Sequence, residues 1–169
     1  MITPEKVSRR DTGTAISQGM ANTFTSLHAH LVFSTKNRTP LITAEIENEV
    51  WQYLGGICRT HGWKAVQIGG ADDHLHLLLG FPPTLALSDA ARRIKGESSK
   101  WISDKFPHLS EFAWQDGYGL FTIGHSQIEE TVNYILRQRE HHTRKTFAEE
   151  YRRFLQVHEI QADDRYIFG

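Results

Sequence analysis

Residues 64–83, KAVQIGGADDHLHLLLGFPP, contain the pattern that decides the fold of this chain. Strand-forming side chains dominate residues 64–68 and 74–79, and the five residues between them, Gly-Gly-Ala-Asp-Asp, predict a hairpin turn. Pro82 and Pro83 end the second strand, because proline cannot donate a hydrogen bond to a neighbouring strand. The stretch therefore predicts two adjacent antiparallel strands.

The segments on either side continue an alternation of strands and helices. Strand formers at 27–35 precede apolar residues at helical spacing, and Gly62 is placed to end that helix in a left-handed conformation. After the hairpin, a second helical pattern runs from Leu87 to Trp101, and a short strand follows at 119–123. This order matches the split βαβ, ferredoxin-like arrangement, which is an α+β fold with helices on one face of an antiparallel sheet.

Two further helices are predicted towards the C-terminus. Ser126 and Glu129 have the spacing of a capping box, and the helix after them extends to about His142. Another helix is predicted at 146–157. Because the ferredoxin-like fold supports many unrelated functions, this order of elements does not identify an activity.

The ends of the chain suggest a flexible arm and one domain. Residues 1–22 are polar and lack periodicity, so we expect an N-terminal arm followed by a single domain at 23–169. Either Met1 or Met20 could be the translation start.

Composition excludes several classes of protein. The chain has 169 residues, a net charge of −1 and one cysteine, Cys58, so no internal disulfide can form and a reducing cytoplasm is expected. No apolar run approaches the roughly 20 residues that cross a bilayer, and no apolar stretch follows the N-terminal basic residues as in a secretory signal. The charge gives no indication of nucleic-acid binding, apart from a basic stretch at 92–105.

Two His-x-His triplets occur, at 28–30 and at 74–76. Alternate residues of a strand point to the same face, so both imidazoles of one triplet could ligate one metal ion. They could equally line a half-exposed sheet. His74 and His76 are the better candidates, because they lie within an apolar run in which a polar pair requires partners.

The predicted helix after Ser126 carries a second candidate group. Ile128, Val132, Ile135 and Leu136 form an apolar stripe, and Tyr134, Gln138 and His141 fall almost opposite it at about 100° per residue. Such a tyrosine could be an exposed residue, a subunit contact or a catalytic group. A phenol has a pKa of about 10, so reaction at neutral pH requires a polarised electrophile or a shifted pKa.

Taken together, these residues resemble the one-tyrosine HUH transposases of bacterial insertion sequences (TnpA type), including the REP-associated tyrosine transposases. HUH denotes His-hydrophobic-His, here His74-Leu75-His76. The resemblance spans residues 24–168 and rests on LVFSTKNR (31–38), DHLHLL (73–78), IKGESSKW (94–101), WQDGYG (114–119), VNYILRQREHH (132–142), FAEE (147–150) and DRY (164–166).

The resemblance implies a metal-dependent single-stranded DNA endonuclease and strand transferase. Tyr134 would attack a phosphodiester, forming a 5′-phosphotyrosine and a 3′-hydroxyl, while His74, His76 and Gln138 would hold Mg²⁺ or Mn²⁺. It also implies a homodimer that acts on hairpin-bearing single-stranded DNA, such as a REP-like sequence or an element end. Such a protein would work in the bacterial cytoplasm at the nucleoid, without a membrane or a small-molecule cofactor.

The sequence also allows other functions and another nucleophile. The chain could be a catalytically silent hairpin-DNA-binding protein of the same fold, or a phosphoesterase that uses activated water. Tyr118, in a Gly-Tyr-Gly segment, competes with Tyr134 as nucleophile, although packing or DNA stacking is its default role. The residues expected to contact DNA are Lys36, Arg38, Arg92, Arg93, Lys95 and Lys100.

Overall fold

The computed structural model describes residues 24–141 and 146–163, apart from the side chain of His141. The strands are β1 (His28–Ser34), β2 (Lys64–Ala71), β3 (His74–Gly80) and β4 (Gly119–Thr122). The helices are α1 (Glu47–Thr60), α2 (Leu87–Lys105), α3 (Ile128–Leu136), α4 (Gln138–His141) and α5 (Phe147–Val157). The arm predicted at 1–22, His142 and the 164–166 motif lie outside the described residues.

The strands of this part of the chain form one antiparallel sheet in the order β2-β3-β1-β4. With α1 after β1 and α2 after β3, this is the predicted ferredoxin-like arrangement, and the α+β prediction is confirmed. Gly62 has a φ of 72° and ends α1 in the predicted left-handed conformation.

The two faces of the sheet carry different layers. Alternate residues of the central strands, including Leu31, Leu75 and Leu77, join the buried core beneath α1 and α2. The other face holds Val32 and Phe121, which pack against Phe147, Tyr151 and Leu155 of α5. Because side chains alternate along a strand, His74, His76 and Leu78 of β3 necessarily face α3–α5.

The hairpin differs from the prediction in its turn. Strand β2 continues to Ala71, so the turn consists of Asp72 and Asp73 and the predicted five-residue turn is wrong. Gly69 and Gly70 pair within the ladder, opposite His76 and Leu75. They are glycines for steric reasons: a Cβ on Gly70 would lie 2.1 Å from the carbonyl oxygen of His74.

The helix after β4 also differs from the prediction. Gln127, rather than the predicted Ser126–Glu129 capping box, accepts a hydrogen bond at its Oε1 from the Gly124 N–H (3.0 Å). The helix is not continuous to His142, because Arg137 has φ −98° and ψ 12° and separates α3 from α4. This break lies between Tyr134 and Gln138. Among the described residues, none of the helices is long and apolar enough to span a membrane.

Helix α3 lies close against β2 at Gly69. A Cβ at Gly69 would lie 2.8 Å from the Ile135 carbonyl oxygen and 2.9 Å from its Cγ2. We therefore expect Gly69→Ala to lower the free energy of unfolding by about 1–3 kcal/mol, as overpacking does. Urea denaturation would measure the loss.

Gly96, within α2, is the matched control, since nothing lies within 4 Å of a Cβ built there. Gly96→Ala should raise stability by roughly 0.5–1 kcal/mol, because alanine is the better helix former. Equal effects of the two substitutions would contradict the close approach at Gly69.

Candidate active site

Strand β3 brings His74 and His76 to the face of the sheet that α3–α5 cover. Both side chains are fully buried, whereas Leu75, Leu77 and Leu79 point into the opposite core, as predicted. The two rings are perpendicular, with centroids 5.0 Å apart. The alternation of the strand therefore delivers two imidazoles to one buried space.

Each imidazole is held through its Nδ1 atom. The His74 Nδ1 lies 2.7 Å from the Asp73 carboxylate, and the His76 Nδ1 lies 2.9 Å from the His30 Nε2. Because a carboxylate only accepts hydrogen bonds, the His74 Nδ1 carries the proton and donates it. The His74 Nε2 is then directed towards Gln138, and that of His76 towards Glu150.

His30 is the orienting partner of His76 within the sheet. Burial, and next the neighbouring His76 and His158, lower the pKa of His30 well below its usual range. A neutral imidazole can accept the His76 Nδ1–H at its own Nε2. In this way the first His-x-His triplet supports the second, and His30 is the residue of that triplet that does so.

Gln138 is part of the buried site. Its side chain is 1% exposed, whereas Leu136 is 62% exposed, so the predicted opposition of an apolar stripe to a polar face is wrong here. The break at Arg137 changes the direction of the chain and turns Gln138 inwards. The Gln138 Oε1 lies 3.3 Å from the His74 Nε2, and its amide donates to the Glu150 Oε1 at 3.0 Å.

Arg139 ties α4 to two other parts of the chain. Its guanidinium lies 2.7 Å from a Glu47 carboxylate oxygen at the start of α1 and 3.0 Å from one of Asp72 in the hairpin turn. These carboxylates raise the pKa of Arg139 against the opposing effect of its partial burial. Because Gln138 is the preceding residue, this pair of contacts also limits its movement.

Glu150 of α5 is a site residue that the sequence did not identify. It is a carboxylate between Phe147 and Tyr151, two residues of the apolar face of its helix. Burial, with a smaller contribution from Asp73, raises its pKa to about 7 against the opposing effect of His74. An acid at an apolar helical position was the available signal, since such positions normally hold core side chains.

His74, His76 and Glu150 could hold a metal ion, because one ligand atom of each lies within 4.8 Å of the others. His74 and Gln138 are also placed to bind a metal ion together. A neutral His74 that donates at Nδ1 has its Nε2 lone pair 3.3 Å from the Gln138 carbonyl-type oxygen. Two electron-pair donors facing each other at about the 3 Å spacing of adjacent ligands suit a shared cation.

Tyr134 lies beside the histidine pair. Its ring centroid is 5.7 Å from that of His76 and 6.2 Å from that of His30. The residue lines two clefts, of about 530 Å³ and about 270 Å³, which share Glu130 as a second lining residue. Because Glu129 and Glu130 line the larger cleft along with Arg137, its wall is not basic. The phenol is thus half-buried but reachable from the surface.

The relatives of this chain identify its family. Residues 23–138 match the family model described as "Transposase IS200 like". The chain belongs to the IS200-like transposase family. It is 31% identical over 132 residues to the transposase for insertion sequence element IS200 of Salmonella typhimurium. That alignment covers 72% of this chain and 84% of the relative. It is 26% identical over 117 residues to the ISDra2 transposase TnpA of Deinococcus radiodurans, over 66% of this chain and 84% of that one.

Solved structures agree with this family. A crystal structure described as that of a transposase from Deinococcus radiodurans superposes with a TM-score of 0.58 at 25% identity, covering 73% of this chain and 98% of the other. The structure of a REP-associated tyrosine transposase bound to a REP hairpin superposes with a TM-score of 0.55 at 15% identity, covering 75% and 74%. The fold of this IS200-like transposase is therefore that of the tyrosine transposases.

The basic residues predicted to contact DNA lie in two places. Lys36 and Arg38 are in a 3-10 turn directly after β1, at the end of the sheet where Ser34 pairs with His74. The other four are on α2, which packs on the opposite face of the sheet from the histidines: Arg92, Arg93, Lys95 and Lys100. Tyr118, the competing nucleophile, is exposed near Lys95 rather than close to the histidines.

Lys95 differs from the other basic residues because its ammonium is used within the chain. It donates to the backbone carbonyls of Gln115, Asp116 and Gly117 at 2.5, 2.8 and 3.0 Å. Partial burial lowers its pKa, and Asp116 opposes the change. A loop-stabilising role accounts for these contacts, and the predicted DNA contact of Lys95 stays a prediction.

The hydrogen bond between His30 and His76 can be tested by stability. We expect His30→Leu to lower the free energy of unfolding by about 1–3 kcal/mol, because the buried His76 Nδ1–H loses this acceptor. His30→Gln keeps an acceptor within reach and should lose less. Guanidinium denaturation of both variants measures the difference, and equal losses would argue against this bond as the cause.

Proposed function

We propose that this IS200-like transposase nicks and rejoins single-stranded DNA at hairpin-marked sites through a 5′-phosphotyrosine at Tyr134. The observation that carries the proposal is the association of a half-buried phenol with two imidazoles, 5.7 Å from the ring of His76, within one chain. A hairpin is proposed as the mark because a structural neighbour was solved bound to a REP hairpin.

The divalent site is proposed to consist of His74, His76 and Gln138, with Mg²⁺ or Mn²⁺ as the ion. In support, His74 and His76 each offer a ligand atom within 4.8 Å of the other, and the His74 Nε2 lies 3.3 Å from the Gln138 oxygen. The Tyr134 ring lies 5.7 Å from that of His76. When bound, a divalent ion would stabilise negative charge on the scissile phosphate. Asp73 and His30 hold the imidazoles with Nε2 directed inwards, so the chain presents lone pairs there without reorganisation.

In the proposed cleavage, the Tyr134 oxygen forms a bond to phosphorus as the bond to the 3′ oxygen breaks. The phenol loses its proton, and the departing 3′ oxygen gains one. Because the phosphodiester is exchanged for a phosphotyrosine, a 3′-hydroxyl can reverse the step on the same or another strand without a nucleotide cofactor. Position is the main contribution of the protein, since half-burial limits the directions in which the phenol can move.

Within the single chain, Tyr134 and Gln138 lie beside the histidine pair. We propose a homodimer, as the family resemblance implies, in which each protomer has a site made from its own residues. Such a dimer would hold two DNA ends at once. The proposed location is the bacterial cytoplasm, with nucleoid DNA as the substrate.

Replacement of the nucleophile tests the proposal directly. With Mn²⁺ and single-stranded hairpin DNA, the wild type should give a covalent adduct on a denaturing gel. Tyr134→Phe should reduce adduct formation by about 10³-fold or more, because the attacking oxygen is gone. Hairpin binding by the variant should persist in a fluorescence anisotropy titration.

Tyr118→Phe is the matched control, since it removes the other candidate phenol and should leave the adduct intact. Strand cutting that survives Tyr134→Phe would favour the phosphoesterase that uses activated water. Hairpin binding by a wild type that forms no adduct would favour the catalytically silent DNA-binding protein.

The DNA contacts are proposed to include Lys36, Arg38, Arg92, Arg93, Lys95 and Lys100, with Arg93 the most direct test. Arg93 is exposed on α2, whereas Arg92 and Lys100 pair with Asp89 and Asp104 on the same helix. Arg93→Gln should weaken hairpin binding and reduce the slope of log K against log salt by about 1, because one phosphate contact is lost.

Lys105→Gln provides the control for this charge change. Lys105 is on the same helix, pairs with Glu49 at 3.2 Å and is not among the predicted contacts. Its replacement should leave the salt slope unchanged. Identical slopes for Arg93→Gln and the wild type would exclude Arg93 from the DNA surface.

A further inference from the structure

Helix α5 begins with the FAEE stretch of the family resemblance but lies beyond residues 23–138, which match the family model, and it forms one side of the site. Phe147 stacks on His74 with ring centroids 4.7 Å apart, and Phe154 contacts the rings of His30 and Tyr134 at 5.3 and 5.8 Å. These aromatic contacts fix the position of the helix over the histidines. The matched segment of the family therefore does not account for the whole site of this chain.

Glu150 is the polar residue that α5 directs into this site. Its side chain is 11% exposed, and its Oε2 lies 3.6 Å from the His76 Nε2. Its other oxygen accepts a hydrogen bond from the Gln138 amide at 3.0 Å. That bond orients Gln138 so that its oxygen faces the His74 Nε2. Glu150 thus contacts two of the proposed ligands and arranges one of them.

A carboxylate at this position changes the charge of the site. Imidazole nitrogens and an amide oxygen bind a cation as uncharged ligands, whereas Glu150, when ionised, adds a negative charge to the donor set. Burial of a carboxylate costs free energy unless a cation or hydrogen bonds compensate. Mg²⁺ and Mn²⁺ favour oxygen ligands, and carboxylates are their usual protein ligands. The position and chemistry of Glu150 therefore match those of a ligand.

We propose that Glu150 is a fourth protein ligand of the divalent ion, and that ion binding thereby holds α5 against the histidine pair. The proposal rests on the divalent site proposed above and adds a residue from an element beyond residues 23–138, which match the family model. Because Glu150 and the histidines come from different elements, an ion bound to both joins α5 to β3.

The test is Mn²⁺ binding to the full chain by isothermal titration calorimetry without DNA. Glu150→Gln keeps the size of the side chain and an acceptor for the Gln138 amide, but it removes the charge. We expect Mn²⁺ affinity to fall by about 10-fold or more, the scale of effect seen for conserved groups around metal sites. Circular dichroism with thermal unfolding in the absence of metal verifies that the variant is folded.

Glu149→Gln is the matched control on the same helix. Glu149 is exposed and pairs with Thr146 at the start of α5, where glutamine can serve equally well. Its Mn²⁺ affinity should remain within twofold of the wild type. Hydrogen exchange supplies a second measurement: Mn²⁺ should slow exchange across 147–157 in the wild type and Glu149→Gln, but not in Glu150→Gln.

Mn²⁺ affinity within twofold of the wild type for Glu150→Gln, with the same protection of α5, would overturn the proposal. Failure of the wild type to bind Mn²⁺ would overturn it as well. The adduct assay separates this result from the proposed function. If the wild type forms an adduct and Glu150→Gln binds Mn²⁺ with unchanged affinity, Glu150 is not a ligand and the proposed nuclease activity stands. If Mn²⁺ binding depends on Glu150 and the wild type forms no adduct, Glu150 is a ligand and the proposed nuclease activity is wrong.

Discussion

Helix α3 can lie on the histidine-bearing face of the sheet because Gly69 has no side chain. The Ile135 carbonyl and Cγ2 occupy the space that a Cβ at that position would fill. This contact sets the height of α3 above β2, and Tyr134 is the residue immediately before Ile135. The break at Arg137 follows within three residues of Tyr134 and sends Gln138 into the interior. The distance between the phenol and the imidazoles thus depends on a backbone contact outside the site.

The interior that this contact creates is unusually polar for a sheet face. His30, His74, His76 and Gln138 are all buried, and each is held by a hydrogen bond to another side chain. In a medium of low dielectric constant such bonds are strong, and leaving one unmade is correspondingly costly. The network therefore restricts the rotation of the side chains whose nitrogen and oxygen atoms could ligate a metal ion. Aromatic rings of α5 exclude solvent around it, which strengthens its electrostatic interactions further.

The distribution of charge explains why a family of DNA-processing proteins can include a member with a net charge of −1. Several acids are used inside the structure: Asp73 orients His74, while Glu47 and Asp72 hold Arg139. Their negative charges therefore serve local geometry. The basic turn at Lys36–Arg38 lies at the same end of the sheet as His74. A local field can differ in sign from the total charge, so a net charge of −1 does not describe the surface near His74.

Local periodicity in the sequence was sufficient for the order of the elements and for the face on which each β3 residue lies, because strand alternation is a property of the backbone. It also predicted one continuous helix face for Tyr134 and Gln138, which the break at Arg137 interrupts. The burial of Gln138, 64 positions from its partner His74, depended on a helix break and a close approach at a glycine that no local pattern encodes. The extent of β2 was missed for the same reason, since its glycines read as a turn. Glu150 became a site residue only through the docking of α5, because periodicity shows which face of a helix is buried but not which side chains it meets.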